Sequence, residues 1–222
     1  MPQEERRGRY GLLLLATVTS VAIQGIAEPG PVQQVLVTAT AGGTLVLAFR
    51  GARLAPRLMR AVTIFAAAAV VVAIIRATAG GIGEGAALAV NAALVALGPP
   101  AVAIGLYREL RATQEVRLEA VAGVLCLYVL VGMTFGFVYG AIDNLGGDPF
   151  FANDQTATVA HCLYFSLTTL ATVGYGDFVA RSNLGHTLSV SEAMLGQIYL
   201  VTVVSLIVSN LRRPNHPERA LH

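Results

Sequence analysis

Residues Thr172-Val173-Gly174-Tyr175-Gly176-Asp177 decide how the rest of this chain is read. Gly174 and Gly176 tolerate φ > 0 because they have no Cβ to clash. Interleaved with Val173 and Tyr175, they permit an extended strand whose carbonyls all face one side, against the alternation of an ordinary strand. A row of parallel carbonyl oxygens, with the Thr172 hydroxyl at one end, is a ligand set for a dehydrated cation. Backbone this irregular is tolerated at membrane depth only where protein buries it or where it lines a water-filled path.

The composition is that of a membrane protein. The chain has 222 residues, of which 55% are hydrophobic and 13% charged. A soluble domain carries about 25% charged residues. Mean hydropathy is +0.66. These values exclude a soluble enzyme and a disordered chain. A net charge of only +2 gives no bulk attraction to nucleic acid. Neither H-E-x-x-H nor G-x-S-x-G occurs, so no enzyme is expected. Gly81-Ile82-Gly83-Glu84-Gly85-Ala86 fits a nucleotide-loop pattern, but it joins two apolar runs instead of a strand and a helix. Cys126 and Cys162 are too few and too far apart for a disulfide framework or a metal site, and read as small apolar fillers.

About 20 apolar residues cross about 30 Å of hydrocarbon. Stretches 11–27, 32–49, 61–79, 86–107, 120–139 and 187–211 meet that requirement. The apolar run 157–170 is too short to span and fits a re-entrant helix that delivers the chain to residue 172. The expected fold is therefore an all-α membrane protein with six transmembrane helices. A four-helix unit over 1–107 precedes a linker helix at 108–119, a membrane unit at 120–211 and a tail at 212–222.

All fifteen basic residues are arginine. With six crossings, thirteen of them fall on one side: Arg6, Arg7 and Arg9; Arg50, Arg53, Arg57 and Arg60; Arg108, Arg111 and Arg117; Arg212, Arg213 and Arg219. Excess arginine marks cytoplasmic loops, so both termini are expected in the cytoplasm. The first residues also admit reading as a cleavable secretory signal ending near Ala22. The bend at Glu28-Pro29-Gly30-Pro31, which leads straight into the second run, favours a retained hairpin.

The hexamer and the approach to it, Tyr164-Phe165-Ser166-Leu167-Thr168-Thr169-Leu170-Ala171, resemble the filter and pore helix of the potassium channel superfamily. Glu192-Ala193-Met194-Leu195-Gly196-Gln197-Ile198-Tyr199-Leu200 resembles the inner helix of small bacterial ion channels. The resemblance covers 120–211, under half of the chain. It implies a passive, K⁺-selective channel. The filter would be Thr172, Val173, Gly174, Tyr175, Gly176 and Asp177, with K⁺ held by the carbonyls of residues 172–175. Each chain would supply one quarter, so four identical chains would close the pore. The partners would be membrane lipid and its own copies, with no nucleic acid and no soluble ligand-binding domain. No cofactor is implied beyond the permeant ion, and the location would be the plasma membrane of a bacterium.

Within that resemblance, Gly196 is read either as a hinge in the inner helix or as a site of close helix packing. Leu200, Val204 and Val208 form a stripe that would face the central cavity and narrow it at the cytoplasmic end. Glu192, an ionisable residue inside a span, would brace the filter through the hydroxyls of Ser166, Thr168 or Thr169. Asp143, Asp148 and Asp154 would either concentrate cations at the mouth or belong to a plain solvated loop. His161 and His186 flank the outer side. Two residues depart from the family: Ala171 stands where many members have threonine, and Ala180 where many have proline, which puts the stiffness of the outer mouth in question. The run 86–107 has no basic residue, so voltage dependence is expected to be weak. The rival readings are a secondary transporter, for which Gly98-Pro99-Pro100 is the pointer, and a membrane sensor whose pore is vestigial.

Overall fold

The computed structural model describes residues 9–26, 30–52, 55–79, 84–112, 118–152 and 155–205. Among them are helices α1 (Arg9–Ile26), α2 (Pro31–Gly51), α3 (Pro56–Ala79), α4 (Glu84–Ala96), α5 (Gly98–Ala112), α6 (Leu118–Leu145), α7 (Val159–Leu170) and α8 (Asn183–Tyr199). A π-helical segment, Leu200–Val204, continues α8. The one extended pairing among these residues is an antiparallel bridge between Phe151 and Ala180.

Four segments are long and apolar enough to cross a membrane: Pro31–Gly51, Pro56–Thr78, Val90–Arg108 and Ala120–Leu145. The chain is thus a multi-pass, all-helical membrane protein. α1 and α7 are apolar but shorter.

The run 86–107, expected as one helix, is two. The chain breaks at Leu97, and Pro99 and Pro100 open α5. Their missing N–H groups cost nothing in a first turn, but they remove the donors that would extend the hydrogen bonds of α4. Residues 108–112 finish α5 instead of starting a separate linker helix, and 113–117 lie outside the described residues. α8 starts at Asn183, before the expected Thr187, because Ser182 caps it, its Oγ accepting the Gly185 N–H at 3.1 Å.

α6 is the hub, packing against α1, α4, α5 and α7. One buried core joins Leu13 of α1, Leu45 of α2, Leu94 of α4, Val102 of α5, Leu130 and Met133 of α6, and Leu163 of α7. Helices α1, α4 and α5 therefore flank α6, α1 also reaches α7, and α2 and α3 pack outside them. In lipid, helices associate through close packing, because tails are as apolar as leucine. α3 shows this, meeting α2 at Gly42, where an added Cβ would stand 3.3 Å from Ala66 Cβ. Its other face leaves Ile64, Val71, Ile74 and Ile75 exposed, as a lipid-facing helix requires.

α1 holds a feature the apolar count overlooks. Thr17, Ser20 and Gln24 are buried along one face. Thr17 Oγ1 donates to Leu13 O at 2.8 Å and lies 3.3 Å from Cys126 Sγ of α6, and Gln24 Nε2 donates to Ser20 Oγ at 2.8 Å. Buried polar groups need such partners, most of all in hydrocarbon.

Candidate functional site

The site is assembled by α6, α7, the strand after α7, and α8. α7 begins because Thr158 Oγ1 accepts the His161 N–H at 3.1 Å. How it ends sets up everything that follows. The last four carbonyls of a helix lack intrahelical donors. Here each one has a donor. Leu167 O accepts from Ala171 N at 3.0 Å, and Thr169 O from Thr172 N at 2.9 Å. Thr168 O accepts twice, from Val173 N at 2.8 Å and Gly174 N at 3.3 Å. Leu170 O accepts from the Tyr128 hydroxyl of α6 at 3.0 Å. The strand thus hangs directly on the final turn of α7.

Along that strand the backbone alternates in hand. Thr172 has φ +56°, Gly174 +52° and Gly176 +80°, while Val173 and Tyr175 between them have negative φ. Two of the three left-handed positions are glycine, where this conformation carries no Cβ penalty. Thr172 does carry one, about 1–2 kcal/mol, and the bond to Thr169 O holds it. Alternating hands turn successive peptide planes the same way, the condition for a one-sided row of carbonyls. Residues 171–177 are all exposed, with Tyr175 at 70%.

The far end of the strand is braced by aromatic rings. Tyr164 of α7 donates to Asp177 Oδ2 at 2.9 Å and stacks on Tyr175 at 6.2 Å between ring centroids. Asp177 Oδ1 also accepts the Phe178 N–H at 3.1 Å. Tyr139, Phe150, Phe151 and Phe165 form a mostly edge-on cluster beneath. Arg181 N donates to Phe150 O at 2.8 Å and Ala152 N to Val179 O at 2.9 Å. Ala180 is buried between these bonds, its methyl filling the space that Gly185 leaves. Two ladder bonds tie down the segment. Asp143 is part of the same bracing, its Oδ1 accepting the Phe150 N–H at 2.8 Å. Asp148 is exposed, and Asp154 lies outside the described residues. The rings of His161 and His186 sit 2.7 Å from the carbonyls of Thr156 and Ala180.

Behind α7, Glu192 of α8 is fully buried. Its Oε1 lies 2.5 Å from Ser166 Oγ and its Oε2 accepts from the Tyr139 hydroxyl at 2.6 Å. Ser166 Oγ is also 2.6 Å from Gly132 O of α6. Of the three hydroxyls expected to meet Glu192, only that of Ser166 does. The Thr168 hydroxyl turns back to Tyr164 O and Phe165 O, at 2.9 and 3.0 Å. Thr168 and Thr169 hold the strand through their backbone carbonyls instead.

Gly196 is buried against the end of α7. A Cβ there would meet Leu170 O well inside contact distance and stand 3.0 Å from Leu170 C. Of its two readings, this is close packing. On the other side of α7, Gly132 and Gly136 of α6 play the same part: an added Cβ would stand 2.6 Å from Leu167 Cδ2 and 3.1 Å from Leu163 Cα respectively. Their four-residue spacing was the available sequence signal for this contact.

Leu200 and Val204 of the expected Leu200–Val204–Val208 stripe fall in the π segment, which carries more residues per turn than an α-helix. Thr202 Oγ1 donates to Ile198 O at 2.5 Å inside this stretch. Leu200 is exposed, and Val208 lies outside the described residues.

Residues 123–213 match a protein-family model described as an ion channel. The chain is 30% identical over 88 residues to the inward rectifier potassium channel Kirbac3.1 of Paramagnetospirillum magnetotacticum, covering 40% of this chain and 28% of that protein. It is 30% identical over 106 residues to two pore potassium channel a of Oryza sativa subsp. japonica, covering 48% and 26%. It is 26% identical over 99 residues to the calcium-activated potassium channel slowpoke of Drosophila melanogaster, covering 45% and 8%. The chain thus spans about a quarter or less of the length of these relatives. No solved structure matches.

Proposed function

We propose that this chain, whose residues 123–213 match an ion-channel family model and which is similar over 88–106 residues to potassium channels, is one subunit of a homotetrameric channel that passes K⁺ passively and selectively across a cell membrane. The observation that carries the reading is the alternation of positive φ at Thr172, Gly174 and Gly176 in a strand anchored on the last turn of α7. In this reading the carbonyls of Thr172, Val173, Gly174 and Tyr175 replace the hydration shell of the ion. Asp177, held by Tyr164, stands at the outer mouth.

The exposed surface supports four-fold assembly. Val173 and Tyr175 are more than half exposed in the single chain, as are Val190, Met194, Leu195 and Ile198 of α8. Apolar side chains beside an ion path need partners, and three further copies supply them. The membrane path follows the arginine pattern: six crossings with α7 re-entrant, both termini cytoplasmic and the filter facing out. α1 and the α8–π stretch are the two crossings added to the four long apolar segments. α1 to α5 form a unit that meets α6 through α1, α4 and α5 and has no voltage-sensing role.

The test is K⁺ flux in liposomes with a Na⁺ control. Barium-blockable K⁺ flux in the wild type is expected. Gly174→Ala places a Cβ at φ +52°, a cost of about 1–2 kcal/mol in each of four subunits, and abolishes selective flux. Equal Na⁺ and K⁺ flux in the wild type, or selective flux that survives Gly174→Ala, refutes the reading.

A further inference from the structure

The contacts around Ser166 fix the position of a proton. Ser166 Oγ sits 2.6 Å from Gly132 O and 2.5 Å from Glu192 Oε1. Both distances are short for hydrogen bonds between oxygens. A serine hydroxyl has one proton to give, and a backbone carbonyl has none. If Glu192 were a carboxylate, one of the two contacts would set lone pair against lone pair. The surroundings of Glu192 point the same way. It is fully buried, and its two partners, Ser166 and Tyr139, are both neutral hydroxyls. A buried charge without a cation is costly, whereas a neutral acid needs only its hydrogen bonds.

The other titratable groups nearby leave this proton in place. α8 packs against α6 and α7. From α6 come Tyr139, bonded to Oε2, and Tyr128, whose hydroxyl is committed to Leu170 O. From α7, Cys162 lies with Tyr139 in the buried aromatic cluster. Asp143 bonds the Phe150 N–H, and the rings of His161 and His186 face the Thr156 and Ala180 carbonyls.

We infer that Glu192 is a positioning residue that works as a neutral carboxylic acid. Glu192 Oε1–H donates to Ser166 Oγ, Ser166 Oγ–H donates to Gly132 O, and Tyr139 Oη–H donates to Glu192 Oε2. Each of the three side chains gives one proton and every short contact has one donor. The chain of bonds joins α8, α7 and α6 directly behind the strand at 172–177. Its effect on flux rests on the channel reading, whereas the protonation itself does not.

Two measurements on the full chain in liposomes test this. Infrared difference spectra between wild type and Glu192→Gln at about neutral pH, where exposed carboxylates are ionised, are expected to show loss of a protonated-acid C=O band. Absence of that band from the wild type overturns the assignment. In the flux assay, Glu192→Gln keeps a donor toward Ser166 and an acceptor toward Tyr139, and is expected within about twofold of wild type. Glu192→Asp is one methylene short and is expected about tenfold lower, equivalent to about one lost hydrogen bond. The reverse order, with Asp conducting and a correctly assembled Gln variant silent, means that the charge is needed and overturns it too. A wild type that passes no K⁺ defeats the channel reading alone, and the infrared band still decides the proton.

Discussion

Replacing Gly196 by alanine separates a packing glycine from a bending one. The new methyl would stand 3.0 Å from Leu170 C and 3.1 Å from Leu170 Cδ1, with the carbonyl oxygen closer than either. The side-chain carbon can rotate away. The carbonyl cannot, since it belongs to the final turn of α7 and already accepts from Tyr128. Overpacking a tight contact costs about 1–3 kcal/mol, and an unyielding neighbour puts this site at the upper end. Alanine returns about 1 kcal/mol in helix propensity. The net expectation is about 2 kcal/mol of destabilisation. At about 2–4 °C per kcal/mol for a chain of this size, the thermal midpoint falls by about 4–8 °C. Size-exclusion thermostability of the detergent-solubilised protein reads this directly, with K⁺ flux measured in parallel and expected to fall. A glycine that serves only to bend the helix makes the opposite prediction: alanine stiffens α8 and raises the midpoint. An unchanged or higher midpoint for Gly196→Ala refutes the packing argument.

Gly132→Ala provides a graded comparison. Its Cβ would meet the far end of a flexible side chain, Leu167 Cδ2 at 2.6 Å, so its midpoint should fall by less than half as much as that of Gly196→Ala in the same assay. Tyr128→Phe removes the donor to Leu170 O; about 1 kcal/mol, or about 2–4 °C, should be lost with the fold intact by circular dichroism. Tyr164→Phe removes one bond to Asp177, so in the proposed channel K⁺ flux should start normally and run down faster than in wild type, and identical time courses would count against a bracing role.

The parts of this molecule that were legible in the sequence are those whose determinants are local. Gly174 and Gly176 disclose their backbone hand without reference to any neighbour, and the structure places positive φ there. The short apolar run expected at 157–170 is α7, Val159–Leu170. What depends on contacts between distant segments could not be read. Gly196 carried two readings until Leu170 was seen against it. Nothing local singles out Tyr139 and Tyr128, because their partners Glu192 and Leu170 lie far along the chain. Thr168 and Thr169 were singled out for their hydroxyls, whereas their carbonyls make the contacts, and nothing in a side chain announces that. The π segment at Leu200–Val204 likewise leaves no mark in the local sequence.

The pair of hydrogen bonds accepted by Thr168 O has a mechanical consequence. This carbonyl of the last turn of α7 accepts from Val173 and from Gly174. Strand and helix end therefore share an atom and have no slack between them. A distortion at Val173–Gly174 cannot be absorbed in the strand alone; it must also unwind the turn of α7 below it. The stiffness of the strand is then that of a helix terminus, and whatever frays the one loosens the other.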